Sequence, residues 1–278
     1  MSIFSHLCGT NPQNRTPVPW IPPNNGLTMH IKTVIHPDCK AYAPFVASVL
    51  DGRAGEGRII YQSRNRNTIS VHVFQGVELN VKRYKVPVFP NRIVYSFFRK
   101  TKARRAYEYA SALLSRGIET ARPVAYAEAR RAGLVGVSYL VTFQCPYTRN
   151  MYEFGEGTAE GREDILRAFG RFTARMHRAG FCHADYSPGN ILFDKVDGAW
   201  RFCVVDINRM RFGKLSFERG CRNFERLWGT REMFELMAEG YAEEMHCDKE
   251  TCIARVLHYR NKFWTRRNRT HPREARPL

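Results

Sequence analysis

The chain has 278 residues, 44% hydrophobic and 13% aromatic, enough apolar matter for a compact globular protein of one or two domains. It carries 44 Lys and Arg against 26 Asp and Glu, a formal net charge of +18, which directs attention to anionic partners such as phosphorylated glycans, a lipid surface or nucleic acid. The sequence has no run of about eighteen apolar residues, so no transmembrane helix is expected. Its eight cysteines form no CxxC pair, which argues for a reduced cytosolic protein and against a disulfide scaffold, and a zinc site at Cys247 and Cys252 beside His246 would need further ligands that the sequence does not offer at suitable spacing.

The first 28 residues hold Pro12, Pro17, Pro19, Pro22 and Pro23 and lack the basic start and apolar centre of a signal peptide. They read as a disordered extension, or as the product of a start codon placed too early. The first segment that reads as folded is His30–Ile35. Three strands are expected between Gly57 and Lys85: Ile59–Tyr61, Ile69–Phe74 and Val77–Val81, with Gln75-Gly76 turning the chain between the last two. Side chains alternate along a strand, so Val77, Leu79 and Val81 share one face while Asn80 and Lys82 share the other. A Lys so placed can reach nucleotide phosphates; the plainer alternative is an exposed edge residue.

Thr101–Ser115 has helical spacing, with Ala106, Ala110 and Leu113 on one face. Glu108 is the only carboxylate between Glu78 and Glu119. It is the natural partner of the strand lysine, its alternative being an intrahelical pair with Arg104 or Arg105. Pro123–Ala127 and Tyr139–Phe143 read as two more strands, and Gln144–Tyr147 as a hinge. Ile165, Phe169, Phe172 and Met176 form the apolar stripe of a helix leading into the most informative stretch of the chain.

That stretch is His183-Ala-Asp185-Tyr-Ser-Pro-Gly-Asn190, an apolar hairpin turning at Asp194-Lys-Val-Asp197-Gly198, and Asp206 at a strand end. The spacing is that of a phosphoryl-transfer site. Asp185 can accept the proton of a substrate hydroxyl, and Asn190 and Asp206 supply a neutral and a charged oxygen for magnesium, a hard cation shared with substrate phosphates. Beyond Asp206, Phe234, Met237, Tyr241 and Met245 mark a further core helix. From Arg255 to Arg276 eight cations stand against one acid, Glu274, around Phe263 and Trp264. These two aromatics could insert at a membrane interface or pack into the core.

Taken in order from Gly57 to Asn208, these features resemble the protein-kinase-like fold, and within it the bacterial lipopolysaccharide kinase family, which phosphorylates inner-core heptose or 3-deoxy-manno-octulosonic acid. The compact Asp206-Ile-Asn-Arg209 loop, the short segment after it, Asn91–Lys100 and the Tyr259–Arg267 tail carry the closer likeness. The resemblance implies an α+β, two-lobed architecture. Residues 29–144 would form an antiparallel-sheet N-lobe, and residues 145–278 a short, mainly helical C-lobe ending in a basic helix or tail. It implies ATP and magnesium, with Lys82 on the phosphates, Glu108 paired to it, Asp185 as base, and Asn190 and Asp206 on the metal. The implied acceptor is an anionic glycolipid at the inner face of the inner membrane, with an anionic membrane surface as partner and no specific nucleic acid.

The departures separate the chain from protein kinases. No G-x-G-x-x-G follows the first strand; Gly52–Gly57 precedes it and reads as a connecting turn, leaving the polar turn Ser63–Asn67 to cover the phosphates. Ala184 replaces the usual arginine, no activation segment follows Asp206, and Pro188-Gly189 is similar to small-molecule phosphotransferases. A protein kinase and a non-catalytic kinase-like module for lipid or nucleic acid are the alternatives.

Overall fold

The computed structural model describes residues 29–55, 57–62 and 67–272. The expected N-terminal extension and most of the polar turn from Ser63 lie outside the described residues. The N-lobe is built on a six-stranded antiparallel sheet of β1 (Met29–Ile35), β2 (Arg58–Gln62), β3 (Asn67–Phe74), β4 (Val77–Tyr84), β5 (Pro123–Arg131) and β6 (Leu134–Phe143). Their spatial order is β1-β5-β6-β4-β3-β2. The turn between β3 and β4 places Gln75 and Gly76 at φ 51° and 76°, and that between β5 and β6 places Ala132 and Gly133 at φ 49° and 77°. Two consecutive left-handed residues match the twist of a tight hairpin, which is why glycine recurs at the second position. The strands at 123 and 139 are the two arms of one hairpin, longer than the sequence pattern indicates.

The alternation along β4 sets the two faces of the sheet. Leu79 and Val81 pack with Phe45, Val46, Val49 and Leu50 of α1 (Ala43–Leu50) on the outer face. Tyr84 faces the other way, onto the lobe interface. After β4 a short helix, α2 (Phe89–Ile93), runs into a π-turn, Val94–Phe98. Then comes α3 (Lys102–Leu114), capped by the Thr101 hydroxyl on the Arg104 N–H. Ala103, Ala106 and Ala110 are among its buried residues; their small side chains let the helix approach closely.

The C-lobe packs α4 (Glu163–Arg178) against α6 (Arg231–Met245). The crossing is tight because both helices place glycine there: a Cβ on Gly170 would lie 2.0 Å from the Met237 carbonyl, and one on Gly240 2.1 Å from that of Arg167. Three short antiparallel ladders complete the lobe. β7 (Arg149–Asn150) and β10 (Ala199–Val204) flank β9 (Ile191–Val196), and β8 (Phe181–His183) pairs with β11 (Met210–Phe212). The expected hairpin between the motif and Asp206 is β9–β10, turning at Asp197 (φ 49°) and Gly198 (φ 77°). The short α5 (Phe217–Arg222) precedes α6, and α7 (Lys249–Thr270) follows it.

α7 decides between the two readings of the tail. Trp264 is buried and donates its indole N–H to the Leu227 carbonyl at 3.2 Å. It is a core residue, so the idea of Trp264 as an interfacial anchor is corrected. Two of the tail cations are also engaged by the fold, one at its surface and one in its interior. Arg255 pairs with Glu218 at 2.6 Å, and Arg260 is buried with its guanidinium donating to the Gly229 carbonyl at 2.9 Å.

Candidate active site

The catalytic-loop candidate leaves β8 at His183, whose ring is wholly buried. Nδ1 accepts from the Asp185 N–H at 3.1 Å, so Nε2 carries the proton and donates to the Val205 carbonyl at 2.9 Å. The neutral ring thus fastens the loop holding Asp185 to the strand end holding Asp206, and burial holds its pKa below the usual value. Asn223 donates to the His183 carbonyl at 3.0 Å, accepts from His177 Nε2 at 2.9 Å, and the Tyr241 hydroxyl lies 3.0 Å from His177 Nδ1. This buried chain runs from α6 through α4 to the catalytic loop, a satisfied polar network that fixes the loop's place in the core.

His177 gives the network a pH signature. Burial pushes its pKa from 6.5 down to about 4, against a smaller upward pull from Asn223. The unfolded ring takes up its proton near 6.5 and the folded ring only near 4, so within that window the unfolded state binds more protons and stability falls with falling pH. The full span is worth about 3 kcal/mol. Thermal unfolding followed across this window is expected to show a falling midpoint, and His177→Gln a flatter profile. An unchanged slope in that variant would exclude His177 as its source.

Asn190 is oriented by its amide, which donates to the Asp185 carbonyl at 2.9 Å and to the Ser187 hydroxyl at 3.2 Å. With both N–H groups engaged, its side-chain carbonyl is the group left to face the site. The backbone of Asn190 also accepts from the Val205 N–H at 2.9 Å, which holds the hairpin base closed beside Asp206. Asp206 sits in the left-handed region at φ 55°, ψ 41°, a conformation Asp tolerates better than most residues but still at some cost. Its Oδ1 accepts from Lys82 Nζ at 2.7 Å and from Asn208 Nδ2 at 2.5 Å. Burial drives the Asp206 carboxyl upward, but the Lys82 cation, through charge and hydrogen bond, and the Asn208 amide pull it down, and the pKa is held below the usual range.

Lys82 therefore lies in the site, as the alternation on β4 indicates, but its partner differs from the expected one. Glu108 is held by Lys100 at 2.7 Å and Arg104 at 2.9 Å. The reason is local: Arg104 stands one helical turn before Glu108 on the same face, the favourable spacing for an ion pair, and Lys100 arrives from the turn preceding the helix. The Lys82–Glu108 pair is corrected to Lys82–Asp206.

The carboxylate of Asp185 is bracketed by two arginines that no motif marks. Arg226 reaches Oδ1 at 2.6 Å, and Arg209 lies 3.6 Å from Oδ2. Arg226 comes from a 3-10 turn, Asn223–Arg226, directly after α5, and Arg209 from another, Ile207–Arg209, directly after Asp206. The only signal in the sequence is that Arg209 belongs to the compact loop.

Across the hinge, Glu119 joins the lobes. The Tyr147 hydroxyl donates to it at 2.6 Å, and Arg201 of β10 pairs with it at 2.7 Å. Burial and the neighbouring Glu119 push the Tyr147 hydroxyl up to about 12. Next to it, the Thr120 hydroxyl donates to the Val204 carbonyl at 2.6 Å. The N-lobe is thereby tied to the strand that delivers Asp206.

A two-lobed α+β chain that gathers a strand lysine, an H-x-D-x-x-x-x-N loop and a second Asp at one interface has a kinase-like fold and site. The family follows from comparison. The model of the lipopolysaccharide kinase (Kdo/WaaP) family matches residues 53–235, well over half of the chain, and the chain belongs to that family. It is similar to a 3-deoxy-D-manno-octulosonic acid kinase of Stenotrophomonas maltophilia, 27% identical over 169 residues, 60% of this chain and 62% of that protein. The enzyme of the same name from Xanthomonas euvesicatoria is 27% identical over 140 residues, 48% of this chain and 53% of that protein. The chain thus spans between about half and three fifths of the curated relatives it matches. Among solved structures, WaaP in complex with acyl carrier protein superposes with a TM-score of 0.56 at 19% identity, covering 84% of this chain and 99% of that one, a likeness of fold.

Proposed function

We propose that this chain is an ATP-dependent kinase that transfers the γ-phosphate to a sugar hydroxyl of the lipopolysaccharide inner core or of a lipid A-linked glycan. The observation that carries this reading is the convergence of Lys82, Asp206, Asn190 and Asp185, from both lobes, on one interface. Asp185, partly exposed, is the group that receives the acceptor hydroxyl's proton as the oxygen attacks phosphorus. Lys82 places its cation on the phosphate oxygens. The Asn190 carbonyl and the Asp206 carboxylate form an all-oxygen donor pair that suits magnesium; when bound, the ion would neutralise charge on the transferring phosphates. Arg226 and Arg209, on its two oxygens, hold the Asp185 carboxylate in place.

The nature of the acceptor is supported by charge. A groove of about 390 Å³ is lined by Arg222, Lys262, Phe263, Arg266, Arg267 and His271 together with one acid, Glu225, which lies on the turn that carries Arg226 and is held by Arg222 at 3.1 Å. Cations at that position suit the phosphates or carboxylates of an inner-core glycolipid. A protein acceptor fits less well: Asp206 is followed at once by the Ile207–Arg209 turn and β11, with no long segment to dock a peptide. We place the enzyme at the cytoplasmic face of the inner membrane, as a peripheral protein; no helix among the described residues is long and apolar enough to cross a bilayer. The test is intact-mass analysis of lipid A-core glycan from cells with and without the gene. Loss of one phosphate on a core sugar is expected without it, and identical glycan masses would reject the reading.

A further inference from the structure

Seven apolar side chains stand exposed in one short stretch of the N-lobe: Val86, Val88, Phe89, Ile93, Val94, Phe97 and Phe98. Exposure reaches 82% for Phe98, 69% for Phe89 and Val88, and 64% for Phe97. Single exposed apolar residues need no explanation, but three phenylalanines within ten positions form a patch, and a patch of this kind marks an interaction surface.

The opposite side of the same element is pinned to the lobe. Arg92 donates to the Val135 carbonyl at 2.8 Å and Arg130 to the Ser96 carbonyl at 3.1 Å, while the Ser96 hydroxyl accepts from the Val135 N–H at 2.9 Å. Tyr95 lies between the guanidiniums of Arg99 and Arg105, each 5.9 Å from its ring. The polar side is thus turned inward and tethered to the β5–β6 hairpin. The π-turn, closed by the Arg99 N–H on the Val94 carbonyl at 2.8 Å, brings Phe97 and Phe98 to the surface together.

Charge names the occupant. Between Glu78 and Glu108 the sequence contains no acid, and Lys85, Arg99, Lys100 and Lys102 stand exposed at the two ends of the patch. An apolar, aromatic centre with a predominantly positive rim, in which Lys100 is paired with Glu108, is complementary to a bilayer whose headgroups are anionic and whose interior is apolar. A second copy of this chain would set the same cations against each other.

We propose that residues 85–102 form an interfacial anchor, with Phe89, Phe97 and Phe98 entering the headgroup–acyl boundary of an anionic membrane and the flanking cations resting on its phosphates. The inference deepens the reading of a membrane-surface enzyme and rests on it for location. It moves the apolar part of membrane attachment from α7, where Trp264 is buried, to the N-lobe. The anchor joins β4, which carries Lys82, to α3, so docking would set the nucleotide lobe against the surface from which a glycolipid acceptor projects.

The test is flotation of the full chain with vesicles of phosphatidylglycerol and phosphatidylethanolamine, at low and high salt, without nucleotide or acceptor. Wild type is expected to bind, and to retain part of its binding at high salt, because apolar insertion is not screened. The pair Phe97→Ser with Phe98→Ser should lose binding by roughly tenfold or more at either salt, with an unchanged thermal midpoint since both residues are exposed. Lys85→Ser with Arg99→Ser and Lys102→Ser should lose binding chiefly at low salt. Equal binding by wild type and the phenylalanine variant would overturn the proposal. So would a dimer in solution that this variant converts to monomer, because the patch would then face a second copy. Phosphate transfer to a soluble acceptor fragment is read separately, so failure of the anchor leaves the kinase reading standing and failure of transfer leaves the anchor standing.

Discussion

Asp185→Ala is expected to reduce phosphate transfer by roughly 10²–10⁴-fold, the range for a general base, while the protein remains folded. The side chain is partly exposed and its ion-pair partners Arg226 and Arg209 are more exposed still, so their loss of a counter-ion is met by water. The effect should fall on kcat rather than on nucleotide binding, because in the proposed role Asp185 would act on the acceptor and not on the nucleotide phosphates. The measurement is steady-state transfer together with ATP affinity. A variant that transfers at a near-normal rate would remove Asp185 from the chemistry and leave its two arginines as an ordinary surface cluster.

Lys82→Met should be as damaging to activity, and for a different reason it should also cost stability. Asp206 is held in a left-handed conformation with its carboxylate on Lys82 and Asn208. Removing the lysine takes away a charge-assisted hydrogen bond and leaves Asp206 short of a partner, which costs about 1–3 kcal/mol. It also withdraws a fixed cation from the phosphates, an effect of about 10²-fold or more on transfer by analogy with the loss of one preorganised donor. Glu108→Gln is the informative companion. Its carboxylate joins Lys100 and Arg104 at the surface, where such pairs are worth about 0–1 kcal/mol. The expected result is near-normal transfer and stability. If Glu108→Gln proved as harmful as Lys82→Met, Lys82 would have to exchange Asp206 for Glu108 during turnover, and the Lys82–Asp206 pair would belong to only one state of the enzyme.

The part of the site legible in the sequence is the part encoded locally. His183 to Asn190 is a single loop, and the next hairpin turns at Asp197-Gly198, where two left-handed residues leave little choice of geometry. The alternation on β4 puts Lys82 on the face opposite Leu79 and Val81 because a strand has no other option. What is illegible depends on tertiary arrangement. Arg226 reaches Asp185 from a turn far along the chain, and no spacing rule connects them. Glu108 looks in sequence like the partner of a distant lysine, yet the competing neighbour one turn away in the helix is equally visible and wins. The face shown by residues 85–98 cannot be read because periodicity identifies an apolar side without saying whether anything covers it. Trp264 is the converse case, an aromatic among cations that the fold buries.

Transfer of labelled γ-phosphate to purified lipid A-core acceptors tests most directly whether the four converging residues make a sugar kinase. Wild type with magnesium should add one phosphate to a core sugar hydroxyl, and Asp185→Ala and Asp206→Asn should add almost none under the same conditions. Phosphate transfer that persists in both variants, or wild-type protein that binds ATP yet phosphorylates none of the heptose- or 3-deoxy-manno-octulosonic acid-bearing acceptors, would contradict that role.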